Sequence, residues 1–321
     1  MKIVITELNW PIGIERLRER GWEVVYDPDL WHNRVRLKEE LALADAVIVR
    51  NQTRVDANLL AWSDRLKVVG RLGVGLDNID LQRTADSGIK VIYGKNANAT
   101  SVAEYVIAGI FACSRLLKEA ASDVKSGKWN RIKYTGTEVF GKTLGLIGLG
   151  EIGHRVAARA KALGLHIIGH DPFVSPYDYP VMETGIELAS YERVIAESDY
   201  ISLHIPLTAS TRDLIHLETM KSMKNTAILI NSARGGIIHE ADLNLALEQR
   251  IIGGAVLDVL GGEPPAADHP LLMRENCLIT PHIAGLTEES QIRTSEMVSN
   301  EVASELEGRP SLCRVHVNRT Q

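Results

Sequence analysis

Three short stretches in the second half of the chain hold side chains that could do chemistry together. Arg234 lies in "NSARGG" (231–236), Glu263 in "LDVLGGEPP" (257–265) and His282 in "TPHIAG" (280–285), and each stretch follows or closes a short apolar run. An imidazole, with an ordinary pKa of about 6.5, takes or gives a hydroxyl proton near neutrality. A carboxylate against it favours the charged ring and fixes its orientation. A guanidinium grips a substrate carboxylate with two parallel donors, which lysine cannot, and polarises a neighbouring carbonyl. These are the groups needed to interconvert a hydroxyl and a carbonyl beside a carboxylate while a hydride leaves or arrives. Taken singly, each also has a plain structural reading: a packed histidine, a glutamate in a proline-stiffened loop, an arginine capping the next helix.

The hydride needs a carrier. "GLIGLGEIGHRVAARAKALGLHIIGHD" (145–171) reads as strand, glycine turn, helix, strand, acid. Gly148 permits the tight turn, Gly150 lets a diphosphate approach the backbone, and Gly153 lets helix and strand pack closely. The diphosphate would meet free amides at the positive end of the helix dipole. Asp171 closes the second strand, where a carboxylate takes the adenosine ribose hydroxyls and repels a 2′-phosphate. The segment therefore points to NAD rather than NADP; the alternative is a tight structural turn.

The elements that must position these groups alternate from the start. Strands are predicted at 2–7, 23–26, 46–50, 67–70 and 90–93, with helices at 12–20, 35–43, 56–62 and 79–87. A polar stretch, 95–101, precedes one long helix predicted over 101–126. Then come strands at 143–148, 165–170, 200–204, 226–231, 253–258 and 277–280, with helices at 152–163, 190–197, 217–222 and 240–248. An amphipathic helix is predicted over 287–307, and 308–321 reads as an edge strand or a loosely held tail. Such alternation means parallel sheets with helices on their faces, with ligands beyond the carboxyl ends of the strands. "VGRLGVGLDNID" (69–80) also ends a strand, and its amides at 73–75 could hold a carboxylate without charge. All four stretches are expected to rim one cleft. The last helix has no sheet partner left in the second unit, so it is expected to return to the first. The predicted fold is α/β, two doubly wound parallel-sheet domains. The NAD-binding Rossmann domain (99–286) is inserted into a flavodoxin-like substrate domain (1–98 and 287–321).

Composition narrows the partners. A net charge of −5 and a pI near 6.1 offer no basic excess for nucleic acid or an anionic membrane. Cys113, Cys277 and Cys313 are far apart, which disfavours a disulfide framework or a zinc site and fits reduced thiols in the cytoplasm. No His/Asp/Glu cluster has metal-ligand spacing, so no metal is expected. Neither a signal peptide nor an apolar run long enough to span a bilayer is seen.

The ordered set "GRLGVGLDNID", "GLGEIG", "HDP", "HIPLTAST", "INSARGG", "LDVLGGEPP" and "TPHIAG" resembles the D-isomer-specific 2-hydroxyacid dehydrogenases, particularly their D-3-phosphoglycerate dehydrogenase branch, over about residues 1–310. The resemblance implies an enzyme in which Arg234, Glu263 and His282 are catalytic. It implies NAD contacts from Gly148, Gly150, Glu151, Ile152, Gly153, Asp171, Pro206, Ser232, Ala233, Asp258 and Gly285. It implies substrate contacts from Arg50, Val74, Gly75, Arg131, Arg234 and His282, and a homodimer paired through the NAD domains. Arg131, in "GKWNRIKYTGTEVFGKTLG" (127–145), matches an arginine that helps with a far phosphate, and a solvated basic turn is the alternative. Hydroxypyruvate, glyoxylate or sulfolactate remain alternative substrates, and an NADH-sensing corepressor an alternative of another class. With the sequence ending at 321, the regulatory domain of many phosphoglycerate dehydrogenases is not expected, and "RLGVG" and "VRN" (49–51) differ slightly from the usual branch pattern.

Overall fold

The structure is a computed structural model and describes residues 1–316. The chain separates into two compact units, Met1–Asn98 with the chain from Leu286 onward, and Ala99–Gly285.

Unit 1 alternates strictly: β1 (Lys2–Ile5), α1 (Pro11–Arg18), β2 (Glu23–Tyr26), α2 (Arg34–Leu41), β3 (Ala46–Val49), α3 (Ala57–Leu60), β4 (Val68–Arg71), α4 (Leu81–Asp86) and β5 (Lys90–Tyr93). The five strands are parallel in the order β2-β1-β3-β4-β5, which is the flavodoxin-like order. β3 is buried at all four positions, as a central parallel strand covered on both faces must be.

Unit 2 opens with α5 (Ala99–Arg115) and α6 (Leu117–Lys125), then β6 (Thr143–Ile147), α7 (Glu151–Ala162), β7 (His166–His170), α8 (Tyr179–Thr184), β8 (Glu187–Leu188), α9 (Tyr191–Glu197), β9 (Tyr200–Leu203), α10 (Leu217–Lys221), β10 (Ile228–Asn231), α11 (Glu240–Glu248), β11 (Gly254–Leu257) and β12 (Cys277–Ile279). Its seven-stranded sheet is parallel in the order β12-β11-β10-β9-β6-β7-β8. Renumbered from β6, this is the Rossmann order 3-2-1-4-5-6 with one further strand, and the topological switch falls between β6 and β9. A last helix, α12 (Glu288–Leu306), packs on α1, β4 and β5 of unit 1. Its buried stripe is small, and a Cβ on Gly13 of α1 would lie 2.3 Å from Ser295 Oγ, so glycine sets how closely these helices approach.

Two expectations need correction. The long helix predicted over 101–126 is broken at Leu116, and its halves bend by 52°. The side chain of Ser114 donates back to the Ile110 carbonyl, and its own carbonyl accepts from the Thr137 amide (3.0 Å), so the returning chain takes a bond the helix would need. The short elements α8 and β8 were not predicted, because six- and two-residue elements carry too little periodicity. The tail does pair at an edge: Arg314 bridges Ile92 antiparallel, and the Val315 amide donates to Val91 (2.8 Å). The rest of the tail, 317–321, lies outside the described residues. Among the described residues no single helix is long and apolar enough to cross a membrane.

Candidate active site

The glycine turn sits after β6, at the switch point. Gly148 has φ +94°, and a Cβ there would lie 2.4 Å from the His204 carbonyl oxygen that follows β9. A Cβ on Gly153 would lie 2.5 Å from the Gly148 carbonyl oxygen. Gly150 is different: a Cβ there would meet nothing within 4 Å. Two glycines are thus required by the protein's own packing, and the third faces open space at the N-cap of α7, with no side chain capping that helix. An uncapped helix start beneath open space is what a dinucleotide diphosphate needs. Asp171, after β7, accepts from the Leu149 amide (2.9 Å) and the Phe173 amide (2.9 Å), which ties this acid to the glycine turn. Glu151 points outward and pairs with Arg155, whereas Ile152 packs partly into the core. Ser232, after β10, has a buried hydroxyl oxygen with no partner among the described residues, a group that a bound ligand could satisfy. Ala233 donates its amide to Asn231 Oδ1 (3.0 Å), and exposed Pro206 follows β9. The NAD site expected from the sequence therefore fits the residues present.

The chemistry-bearing stretches end three adjacent strands, β10, β11 and β12, of this same sheet. His282 Nδ1 and Glu263 Oε2 are 2.8 Å apart, and Glu263 Oε1 accepts from the Leu260 amide (3.1 Å). Burial raises the pKa of the Glu263 carboxyl. It is outweighed by the bond to and charge of His282, the Leu260 amide and the Arg234 charge, so the group lies below its ordinary range. Arg234 Nη1 donates to the Ala233 carbonyl (2.6 Å), and the Arg234 carbonyl accepts from Asn231 Nδ2 (2.8 Å). His282 has φ +57°, a left-handed conformation uncommon for a residue with a side chain. Asp258 holds it there. This carboxylate, 1% exposed, accepts from Thr280 Oγ1 (2.6 Å), the Ile283 amide (2.8 Å) and the Ala284 amide (2.7 Å), and the Asp258 carbonyl accepts from the His282 amide (2.9 Å). Gly285 closes the unit just beyond. Burial pushes the Cys113 thiol up to about 11 and the Cys277 thiol up to about 12, which disfavours a thiolate nucleophile in this unit.

Unit 1 holds three of the other expected contacts, Arg50, Val74 and Gly75. The Gly73 amide donates to the Arg71 carbonyl, but among the described residues no protein group accepts from the amides of Val74 or Gly75. Arg50 follows β3 and is half-buried; burial lowers its pKa and the Glu7 charge opposes that shift. Glu7 is a residue the sequence reading missed. Its buried carboxylate accepts from four successive amides, Arg50 (2.8 Å), Asn51 (2.9 Å), Gln52 (2.8 Å) and Thr53 (2.9 Å), and so folds the loop that carries Arg50. Its place just past an apolar strand was the available signal. In unit 2, the loop after α6 separates Arg131 from Lys133: Asp123 takes Lys133 Nζ (3.1 Å), Lys128 Nζ (3.5 Å) and the Tyr134 hydroxyl (2.6 Å). Arg131 has no carboxylate partner among the described residues.

Residues 107–284 match the family model for the D-isomer specific 2-hydroxyacid dehydrogenase, NAD binding domain. The chain belongs to that family. Among its relatives, the (S)-sulfolactate dehydrogenase of Chromohalobacter salexigens is 44% identical over 277 residues, covering 86% of this chain and 89% of that protein. The D-3-phosphoglycerate dehydrogenase of Archaeoglobus fulgidus is 38% identical over 310 residues, covering 97% of this chain and 58% of that one. Relatives of this kind place the chain in the D-3-phosphoglycerate dehydrogenase-like branch. The chain spans about half the length of several phosphoglycerate dehydrogenases it matches, 50% for one from Arabidopsis thaliana. Among solved structures, the TT0316 protein from Thermus thermophilus superposes with a TM-score of 0.90 at 32% identity, covering 98% of this chain and 100% of that one. As in the family, the matched segment is the NAD-binding domain.

Proposed function

We propose that the chain is an NAD-dependent oxidoreductase that interconverts a D-2-hydroxy acid and its 2-keto acid, and that the acid carries a second anionic group. The observation that carries the reading is the Glu263–His282 pair, 2.8 Å apart at adjacent strand ends in the sheet that bears the glycine turn. Bound NAD supplies the carbon that accepts or delivers the hydride. Glu263 occupies Nδ1 of His282, which leaves Nε2 to take the hydroxyl proton in oxidation or return it in reduction. The carboxylate balances the ring's charge in the protonated state. Arg234 grips the substrate carboxylate, and Arg50 with the amides of Val74 and Gly75 are the substrate contacts of unit 1. Arg131, which has no carboxylate partner among the described residues, serves the second anion. Ser232 and Asp171 would hold the two ends of a bound dinucleotide, with Gly148, Gly150, Glu151, Ile152, Gly153, Pro206, Ala233 and Gly285 lining it, and Asp258, which fixes the His282 loop, would be a further cofactor contact.

Sulfolactate has support of its own. The 44% identical relative named for it is matched over most of both chains, and a sulfonate is an anion Arg131 could take as well as a phosphate. The free cysteines fit a cytoplasmic setting. We also propose a homodimer through the NAD domain, because α6 buries no residue of its own and Leu117, Val124, Trp129 and Ile132 lie exposed along it and the following loop. The test is a screen of purified protein against 2-hydroxy and 2-keto acids with and without a terminal phosphate or sulfonate, following NADH absorbance. Oxidation of D-3-phosphoglycerate or sulfolactate is expected, and turnover only of acids lacking a second anion would remove Arg131 from the reading. His282→Gln is expected to lower kcat by about 10²–10⁴-fold with NAD affinity kept; undiminished turnover would end its role in proton transfer.

A further inference from the structure

The loop that presents Glu263 is itself held from a second layer. Glu240, the first residue of α11, does not cap its own helix but turns to the loop after β11, where its Oε1 accepts from the Gly261 amide (2.6 Å). Its Oε2 lies 3.1 Å from His269 Nε2, and the other ring nitrogen of His269 is buried without a partner among the described residues. That ring has one polar contact and spends it on Glu240. On its other side the loop is wedged against the stretch carrying Arg234: a Cβ on Gly235 would lie 2.0 Å from the Leu260 carbonyl oxygen. Leu260 in turn donates its amide to Glu263. A chain of contacts thus runs from His269 through Glu240 and Gly261 to the segment 260–263, and from there to His282.

We propose that Glu240, steadied by His269, is a positioning residue for the proton-transfer pair: it fixes the backbone at Gly261 and so sets where Glu263 meets His282. The proposal rests on the Glu263–His282 reading above. Its physical content is that Glu263 lies on a loop between strands, where a carboxylate favours a charged ring only while its position is held. Glu240 touches neither substrate nor cofactor in this account. Loss of its bond to Gly261 lets Glu263 drift from Nδ1, and the charged form of His282 then loses a stabilising contact.

The experiment reads which ring nitrogen of His282 carries the proton, by ¹⁵N–¹H NMR of the full-length protein without cofactor at alkaline pH, the signal identified by its loss in His282→Gln. The wild type is expected to hold the proton on Nδ1, which faces the Glu263 carboxylate, and Glu263→Ala is expected to move it to Nε2. Glu240→Ala is expected to move the population the same way to a smaller extent, and to lower kcat about tenfold without raising KM for NADH. In the Glu263→Ala background, Glu240→Ala should then change nothing further, since both act through one contact. A Glu240→Ala spectrum that overlays the wild type while Glu263→Ala shifts it overturns the proposal alone. If Glu263→Ala leaves the proton in place, the pair reading and this proposal fall together. Should Glu240→Ala not fold, His269→Ala, which frees the same carboxylate, carries the same expectation at smaller size and the same refutation.

Discussion

Gly150 and Gly153 separate what the fold requires from what the cofactor requires. In Gly150→Ala the new methyl enters open space, and φ is −77°, which alanine adopts freely. Alanine is a poorer N-cap than glycine, at a cost of up to about 1 kcal/mol. Stiffening the unfolded chain returns about 0.4–1 kcal/mol, so the net effect on stability is close to zero. The methyl would nevertheless stand where the diphosphate must approach the α7 amides. Losing one charge-assisted bond there costs about 1.5–3 kcal/mol, or about 10–150-fold in Kd. Gly153→Ala should behave in the opposite way. Its methyl would lie 2.5 Å from the Gly148 carbonyl oxygen, a backbone atom that cannot swing aside. Overpacking of this kind costs about 1–3 kcal/mol, which lowers Tm by several degrees. Thermal unfolding without cofactor measures the first quantity, and NADH fluorescence titration the second. Gly150→Ala is expected to keep the wild-type Tm and lose affinity; Gly153→Ala is expected to lose Tm before any question of affinity arises. Wild-type NADH binding by Gly150→Ala would refute the placement of the diphosphate, and a wild-type Tm for Gly153→Ala would refute the packing argument.

Other perturbations follow from the same geometry. In Glu7→Gln, an amide NH₂ replaces an oxygen that accepts two of four backbone donors; the loss of two such bonds should cost about 3 kcal/mol or more and raise substrate KM, and calorimetry with steady-state kinetics would detect either failure. Asp171→Ala should weaken the preference for NADH over NADPH in kcat/KM, and it should also loosen the glycine turn, because the carboxylate holds the Leu149 amide; an unchanged preference would contradict the ribose role. Burial raises the pKa of Asp45 and of Asp199. The Lys2 amide with Lys67 and Arg65, and the Thr143 amide with Lys224 and Lys142, outweigh it and leave both acids below their ordinary range. Each folded pKa is lower than the unfolded one, so the stabilisation is full above about pH 4 and is lost as pH falls through the folded value. Acid-unfolding curves of Asp45→Asn and Asp199→Asn should therefore be flatter than the wild type below that pH, and parallel curves would show that neither acid is coupled to folding.

The two sheets were legible because period and punctuation agreed: buried β-branched runs, glycines at turns, an acid closing the second strand of the fingerprint. The break at Leu116 was not, since it depends on Ser114 giving its carbonyl to Thr137, a contact 23 residues away that no helical period encodes. The acids divide along the same line. Asp45 and Asp199 precede β3 and β9 and clip the amino ends of the neighbouring strands β1 and β6, one in each unit. Glu7, Asp171 and Asp258 follow strands and collect amides of loops at the carboxyl ends, where the chemistry is expected. Sequence reading found Asp171 and Asp258 through their motifs and treated both as cofactor contacts. It passed over Glu7, which has no motif and reads only as an early acid. Yet all three do the same physical work first. Each is a carboxylate that turns flexible backbone into a fixed surface, and only then could any of them meet a ligand. A motif therefore marks where such a loop lies, and the buried acid behind it determines whether the loop holds its shape.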